Sequence, residues 1–383
     1  MLSYWERESL LRYDYVIIGG GIIGLSTALT LKERSPNASV LVLERGIFPS
    51  GASTKNAGFA CFGSLTEIVA DMRLNGEEIT FKLIEQRIRG LTLLRKRLGD
   101  EAIGYEHHGG YELIMEKHVP ALAELEHINL LLREVFKSDV FRVENEKIAE
   151  FGFSSHVRAL VHNPFEGQLN TGAMMQTLLH HVLATGIVVL NGAEARHLEE
   201  QPGHIEIFVE HNRLHSTKQL VFEAKKVALC TNAFTSRFVH DVDIKPGRGQ
   251  VFITRPVENL RFKGAFHVDE GYYYFRNIST PEGDKILLGG GRNLALEAEA
   301  TTEFGLSYSI QQYLEDLLRT VIVPDGQVKI EKRWTGIMGF SSNKLPIMRK
   351  SSDRVFISFG CNGMGVALGS VVGERTAQML LED

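Results

Sequence analysis

The chain has 383 residues, 44% hydrophobic and 23% charged, with a formal net charge of −5. That is the make-up of a globular protein long enough for about two domains. Scattered basic residues exclude a nucleic-acid footprint, and no apolar run approaches the ~20 residues needed to span a bilayer.

Residues 13–18 are an apolar, β-branched run, followed by Gly19-Gly20-Gly21 and a small, apolar stretch to residue 31. The order reads strand, tight turn, buried helix. Ser35-Pro36-Asn37 stops the helix, and residues 39–44 resume as a continuous apolar strand of the kind buried in parallel sheets. Gly19-Gly20-Gly21-Ile22-Ile23-Gly24 is therefore a GxGxxG in a βαβ unit, 20 residues ahead of the acidic Glu44. Each glycine answers a steric demand: the tight turn, the approach of a pyrophosphate, and helix–strand contact. The helix N-terminus offers N–H groups to the phosphates, and Glu44 can accept from ribose hydroxyls. This fingerprint leaves FAD and NAD both open. The next segment, Ser50-Gly51-Ala52-Ser53-Thr54-Lys55-Asn56-Ala57-Gly58, is small and polar, suited to packing against a phosphate and a flat ring.

Residues 72–98 carry Ile84, Ile88, Leu91, Leu94 and Leu98 at helical spacing. Helices follow at 119–136 and 168–184, then strands at 187–190, 204–210, 219–223 and 226–230, the last ending in Thr231-Asn232. From 241 to 291 the pattern changes to short strands at 250–254, 271–276 and 285–288, which predicts a second, antiparallel lobe. A strand at 354–359 and a glycine-rich turn lead into a final helix over 365–381, whose N-terminus is placed to stabilise negative charge on a reduced cofactor. The paired histidines His107-His108 and His180-His181 do not present a common metal face and read as structural or solvent-facing. Cys61, Cys230 and Cys361 lie far apart, without metal-ligand spacing or an even count; no metal is expected, and a reducing compartment is. With no signal-like N-terminal segment, the expected location is the cytoplasm.

In this order the elements resemble the D-amino-acid oxidase superfamily of flavoproteins, nearest its glycine oxidase, sarcosine oxidase and gamma-glutamylputrescine oxidase-like members. The resemblance spans nearly the whole chain. It is carried by the Ser50–Gly58 loop, Arg248-Gly249-Gln250, Tyr273-Tyr274-Phe275-Arg276, the segment Leu287 to Arg292, and Arg333-Trp334-Thr335-Gly336 ahead of Leu345-Pro346. It implies an α/β fold: a Rossmann-like FAD-binding domain assembled from residues 1–75, 150–240 and 328–383. A second, α+β substrate domain on an antiparallel sheet would take 76–149 and 241–327. Noncovalent FAD is implied, since the histidine or cysteine to which some members attach flavin is missing from the matching positions. The cofactor residues expected are Gly19, Gly21, Ile22, Ile23, Gly24, Glu44 and Arg45; Ser50, Ala52, Ser53, Asn56, Ala57 and Gly58; Thr231 and Asn232; and Gly336, Gly360, Asn362, Gly363, Met364 and Gly365.

The chemistry implied is oxidation of the C–N bond of a small amino acid or amine by hydride transfer to the flavin. Oxidation of a 2-hydroxy acid or glycerol phosphate is the alternative, and a non-catalytic flavin-binding subunit a second. The expected partner is a small-molecule substrate, with oligomeric state open. Lys55 stands where the family commonly has arginine, Asn343-Lys344 replaces its usual Asp-Gly, and Leu287 falls where sarcosine oxidase-like members carry an oxygen-activating lysine. Strand alternation sets Tyr272, Tyr274 and Arg276 on one face and Tyr273 and Phe275 on the other. Arg333, where several members carry a carboxylate-binding arginine, leads the substrate candidates, with Tyr272, Tyr274, Arg276, Asn362 and Met364 beside it.

Overall fold

The structure, a computed structural model, describes residues 3–213, 216–324 and 326–382. The expected βαβ unit forms from the strand Arg12–Ile18, the helix Ile22–Arg34 and the strand Val40–Glu44. All five residues of the second strand are buried, as a parallel strand covered on both faces requires. Around this unit an eight-stranded sheet grows in the order Ile347–Lys350, Val355–Phe359, Ser216–Leu229, Arg12–Ile18, Val40–Glu44, Val188–Asn191, with Glu194–Gln201 and His204–Arg213 as a meander beside Ser216–Leu229. The four pairings at its centre are parallel. One face packs on helices through Leu25, Leu29, Leu178 and Ala377; the other is covered through Ile205, Ile207, Val209 and Phe222.

A second eight-stranded sheet runs Ile330–Phe340, Lys245–Thr254, Gly283–Gly290, Tyr273–Thr280, Ala265–Val268, Gly110–Met115, Val157–Asn163, Arg142–Val143. It is antiparallel apart from one pair, Ala265–Val268 with Gly110–Met115. The strands Val157–Asn163 and Ile330–Phe340 thus join this sheet, although the boundaries expected at 150 and 328 put them with the nucleotide lobe. Pairing decides this: Ile330–Phe340 hydrogen-bonds along Lys245–Thr254 almost end to end. Side-chain alternation then sorts the sheet's two faces. Phe252, Phe266 and Phe275 pack with Ile310 and Leu314 of the helix Tyr308–Leu317. Their neighbours Val251, His267 and Tyr274 face the other way, into a cavity toward the first sheet.

The helix expected over 72–98 is two, Leu65–Asn75 and Glu77–Leu98, broken at Gly76 with φ +81°, a backbone state that glycine adopts without a Cβ penalty. The final helix, Gly365–Glu382, packs on both Ile22–Arg34 and Glu77–Leu98. A Cβ on Gly90 would lie 1.9 Å from the carbonyl oxygen of Ala367, so the closeness of this crossing depends on that glycine. The crossing fixes where the final helix begins.

Candidate active site

The cavity between the sheets holds about 340 Å³, the size of a cleft that takes a small-molecule ligand. At one end is the glycine turn. Gly19 has φ +114°, and a Cβ on Gly24 would sit 1.9 Å from the Gly19 oxygen; only glycines let this loop close. The Gly20 N–H donates to Oε2 of Glu44 at 3.0 Å and the Gly46 N–H to Oε1 at 2.8 Å. This buried carboxylate therefore faces the turn with both oxygens fixed and free lone pairs for hydroxyl donors. The Arg45 guanidinium carbon lies over the Phe234 ring, 3.8 Å from its centroid, and Arg237 pairs with Glu194 at 3.2 Å.

The 50–58 segment forms a single turn, Ala52–Lys55, and its hydroxyls and amides hold the loop together. Ile22 N–H donates to Ser53 Oγ at 3.0 Å; Asn56 Oδ1 accepts from Gly58 N–H at 2.8 Å, while its Nδ2 donates to the Ser53 carbonyl at 2.8 Å. Trp334 Nε1–H donates to the Lys55 carbonyl at 3.0 Å, tying the loop to the second sheet. At the third element Asn362, with φ +52°, accepts from Ser341 N–H at 2.8 Å and donates to the Gly360 carbonyl at 2.5 Å. Its amide fixes the turn from which the final helix starts. A Cβ on Gly363 or Gly365 would meet nothing within 4 Å. The first N–H groups of this helix, which have no intrahelical acceptor, therefore open onto free space in the cavity. Two helix N-termini, an acidic ribose acceptor and a glycine-lined channel fit a flavin dinucleotide.

Of the expected residues, Gly19, Gly21, Ile22, Ile23, Glu44, Arg45, Ala52, Ser53, Asn56, Ala57, Gly58, Thr231, Asn232, Tyr274, Gly336, Asn362, Gly363, Met364 and Gly365 line this one cavity. Gly24 lies beneath the turn, and the Ser50 hydroxyl is turned to Gly46. Gly360 accepts from Asn362 with its carbonyl and shapes the turn at φ +80°. Tyr272, expected on the Tyr274 face, precedes the strand Tyr273–Thr280, so alternation does not govern it, and it packs instead on the helix-side core. Arg276 shares the Tyr274 face but is buried, donating from Nη2 to the Leu169 carbonyl at 2.9 Å; burial pulls its pKa down to about 10.

Arg333 requires correction. It belongs to the face that carries Phe252, and its guanidinium is held by Gln311 Oε1 at 2.6 Å and Glu315 Oε1 at 2.5 Å of the helix Tyr308–Leu317. One and three residues along, Trp334 and Gly336 take the cavity side, so alternation denies Arg333 that role. Arg333→Gln is expected to leave the KM for any substrate within about twofold and to cost about 1 kcal/mol of stability, as partly exposed pairs do; steady-state kinetics and Tm check it.

Sequence reasoning missed Glu67 and His267, which line the cavity together with Cys61. The readable signal was one histidine interrupting the otherwise apolar strand Ala265–Val268. Burial favours the neutral form of three groups at this end: His267 is pulled down to about 4, Tyr274 pushed up to about 12, and the Cys61 thiol well above its usual value.

Residues 14–379 match the family model described as FAD dependent oxidoreductase, DAO. The gamma-glutamylputrescine oxidoreductase of Escherichia coli is 23% identical over 97% of this chain and 84% of its own. The L-2-hydroxyglutarate dehydrogenase of the same species is 25% identical over 64% of this chain and 55% of its own. Among solved structures, glycine oxidase from Geobacillus kaustophilus superposes with a TM-score of 0.76 at 18% identity, covering 97% of this chain and 95% of that one. The matched model, the shared fold and the lining of the cavity agree: the chain belongs to the DAO family of FAD-dependent oxidoreductases.

Proposed function

We propose that the protein oxidises the carbon–nitrogen bond of a small amine or amino acid. Bound FAD supplies the two-electron acceptor; the chain's residues bind and orient. The residues that would hold it are the glycine turn and Glu44 at the nucleotide, and Ala57, Gly58, Gly336 and Met364 toward the second sheet. The observation that carries the reading is the chemistry of the second-sheet end. There Glu67, His267 and Tyr274 offer acceptors for N–H donors, and the lining arginines, Arg45 and Arg237, sit with Glu44 and Glu194 at the nucleotide end. An amine is served by acceptors, whereas a dicarboxylate hydroxy acid calls for an arginine fork. The gamma-glutamylputrescine oxidoreductase relative points the same way. The L-2-hydroxyglutarate dehydrogenase relative keeps C–O oxidation as the second reading.

The flavin is held noncovalently in this reading, because Cys61 and Cys361 are buried thiols whose pKa burial raises, Cys361 to about 12. Acid precipitation is expected to release FAD into the supernatant. Anaerobic titration with amines, amino acids and 2-hydroxy acids is expected to bleach the flavin with a member of the first two classes, releasing ammonia or a primary amine. Bleaching by hydroxy acids alone would replace this reading with the second.

A further inference from the structure

His267 lines the cavity, yet its buried Nε2 has no hydrogen-bond partner, an uncommon state for a polar atom in a protein interior. Facing that nitrogen at 3.8 Å is Oε2 of Glu166, a carboxyl group only 1% exposed. Glu166 is held in place. Its Oε1 accepts from the backbone N–H of Phe62 at 2.8 Å and of Gly63 at 3.2 Å, and a Cβ on Gly110 would come within 2.1 Å of Oε2. Phe59 sets its ring edge-to-face against the imidazole at 5.3 Å. The order is cavity, imidazole, clamped carboxyl group, which is how a base is positioned by a third group behind it.

We propose that His267, backed by Glu166, is the base that takes the proton from the substrate's reacting N–H or O–H group. The inference rests on the reading that a small substrate is oxidised in this cavity. In the step the N–H or O–H bond breaks, its electron pair stays on the heteroatom, and the proton joins an imidazole nitrogen. The imidazolium is then met by the carboxylate of Glu166, and the step itself consumes no oxidant.

The surroundings set the direction of the pH dependence. Facing the pair are Cys61 from the loop, Glu67 from the helix Leu65–Asn75, Glu112 on the neighbouring strand, and Tyr274 and Arg276 on the strand beyond. Burial lifts Glu166 to about 7 and holds His267 down at about 4. Below pH 7 the resting pair is a neutral imidazole and a neutral acid. Above it Glu166 is ionised and stabilises the imidazolium, so proton removal quickens as pH rises through about 7.

The test uses the FAD-loaded protein with His267→Gln and with Glu166→Gln, which keeps size and hydrogen-bonding groups. Rapid anaerobic mixing with the compound that bleaches the wild-type flavin is expected to show at least a ~100-fold slower bleach for H267Q. E166Q is expected to lose the rise through pH 7. A merely structural role would change FAD content or Tm without touching that pH limb. A second readout is independent of turnover: with 13C-labelled histidine, the His267 resonance, identified by its loss in H267Q, should remain that of a neutral imidazole, step as Glu166 ionises near pH 7, and lose that step in E166Q. Wild-type bleaching rates and pH dependence in H267Q would overturn the proposal. So would one equivalent of metal held by Cys61, Glu166 and His267, whose ligand atoms lie within 4.8 Å of one another. If no compound bleaches the wild-type flavin, the proposed function fails by itself. The NMR signals then decide the dyad, and their indifference to E166Q would sink it.

Discussion

Asp71→Ala is expected to destabilise the protein by about 3–5 kcal/mol, the range for breaking a buried ion pair from one side. Asp71 and Arg87 are 1% and 2% exposed, and Arg87 Nη2 lies 3.3 Å from Asp71 Oδ2. Arg87 Nη1 also donates to the Phe62 carbonyl at 2.9 Å, while its Nε has no partner. Without Asp71, the buried cation keeps one hydrogen bond, to the Phe62 carbonyl, and only the longer-range attraction of Glu67. The reverse change is milder: in Arg87→Leu the carboxylate still has Lys344, whose Nζ lies 3.0 Å from Oδ1. Tm should therefore fall further in D71A than in R87L, and equal falls would refute the argument. The pair joins the helices Leu65–Asn75 and Glu77–Leu98 to the loop around Phe62, so D71A should also loosen the Phe62 and Gly63 N–H groups that hold Glu166.

Gly24→Ala is expected to weaken FAD binding by at least about 100-fold, or ~2.7 kcal/mol. The new Cβ would meet a backbone oxygen, that of Gly19, at 1.9 Å. Neither partner is the flexible end of a side chain. The turn must open, and the N–H groups at the start of Ile22–Arg34 lose their aim at the pyrophosphate. The variant should purify nearly colourless while keeping a wild-type far-ultraviolet circular dichroism spectrum. Retention of stoichiometric FAD would contradict the steric account.

The nucleotide half of the site was legible because its chemistry is local in sequence. Gly19 to Gly24 and Glu44 need only one βαβ unit, and the final glycine turn announces its helix. The substrate half was not. Arg333 looked right by residue type and segment, but facing is decided by register, and only the pairing of Ile330–Phe340 with Lys245–Thr254 shows that Trp334 and Gly336 take the cavity side. The His267–Glu166 pair joins residues about a hundred positions apart, brought together through Gly110–Met115, which pairs in parallel with Ala265–Val268 and antiparallel with Val157–Asn163, the strand just ahead of Glu166; no hairpin pattern predicts this. The alternation of Tyr274 with Phe275 was readable, since a period of two holds wherever the strand pairs.

The order of strands in the first sheet has a consequence for how the protein is made. Val40–Glu44, Arg12–Ile18 and Ser216–Leu229 lie side by side, and Val355–Phe359 completes the parallel core beside Ser216–Leu229. During synthesis the edges of the first βαβ unit must wait unpaired until Val188–Asn191 and Ser216–Leu229 emerge, and the face meant for Gly365–Glu382 stays bare for more than three hundred residues. Such exposed edges and apolar faces are what chaperones hold and what aggregates form from. Flavin capture is therefore a closing event of folding, and the yield of yellow protein in a cell reports how well the nascent chain was sheltered until its last strand arrived.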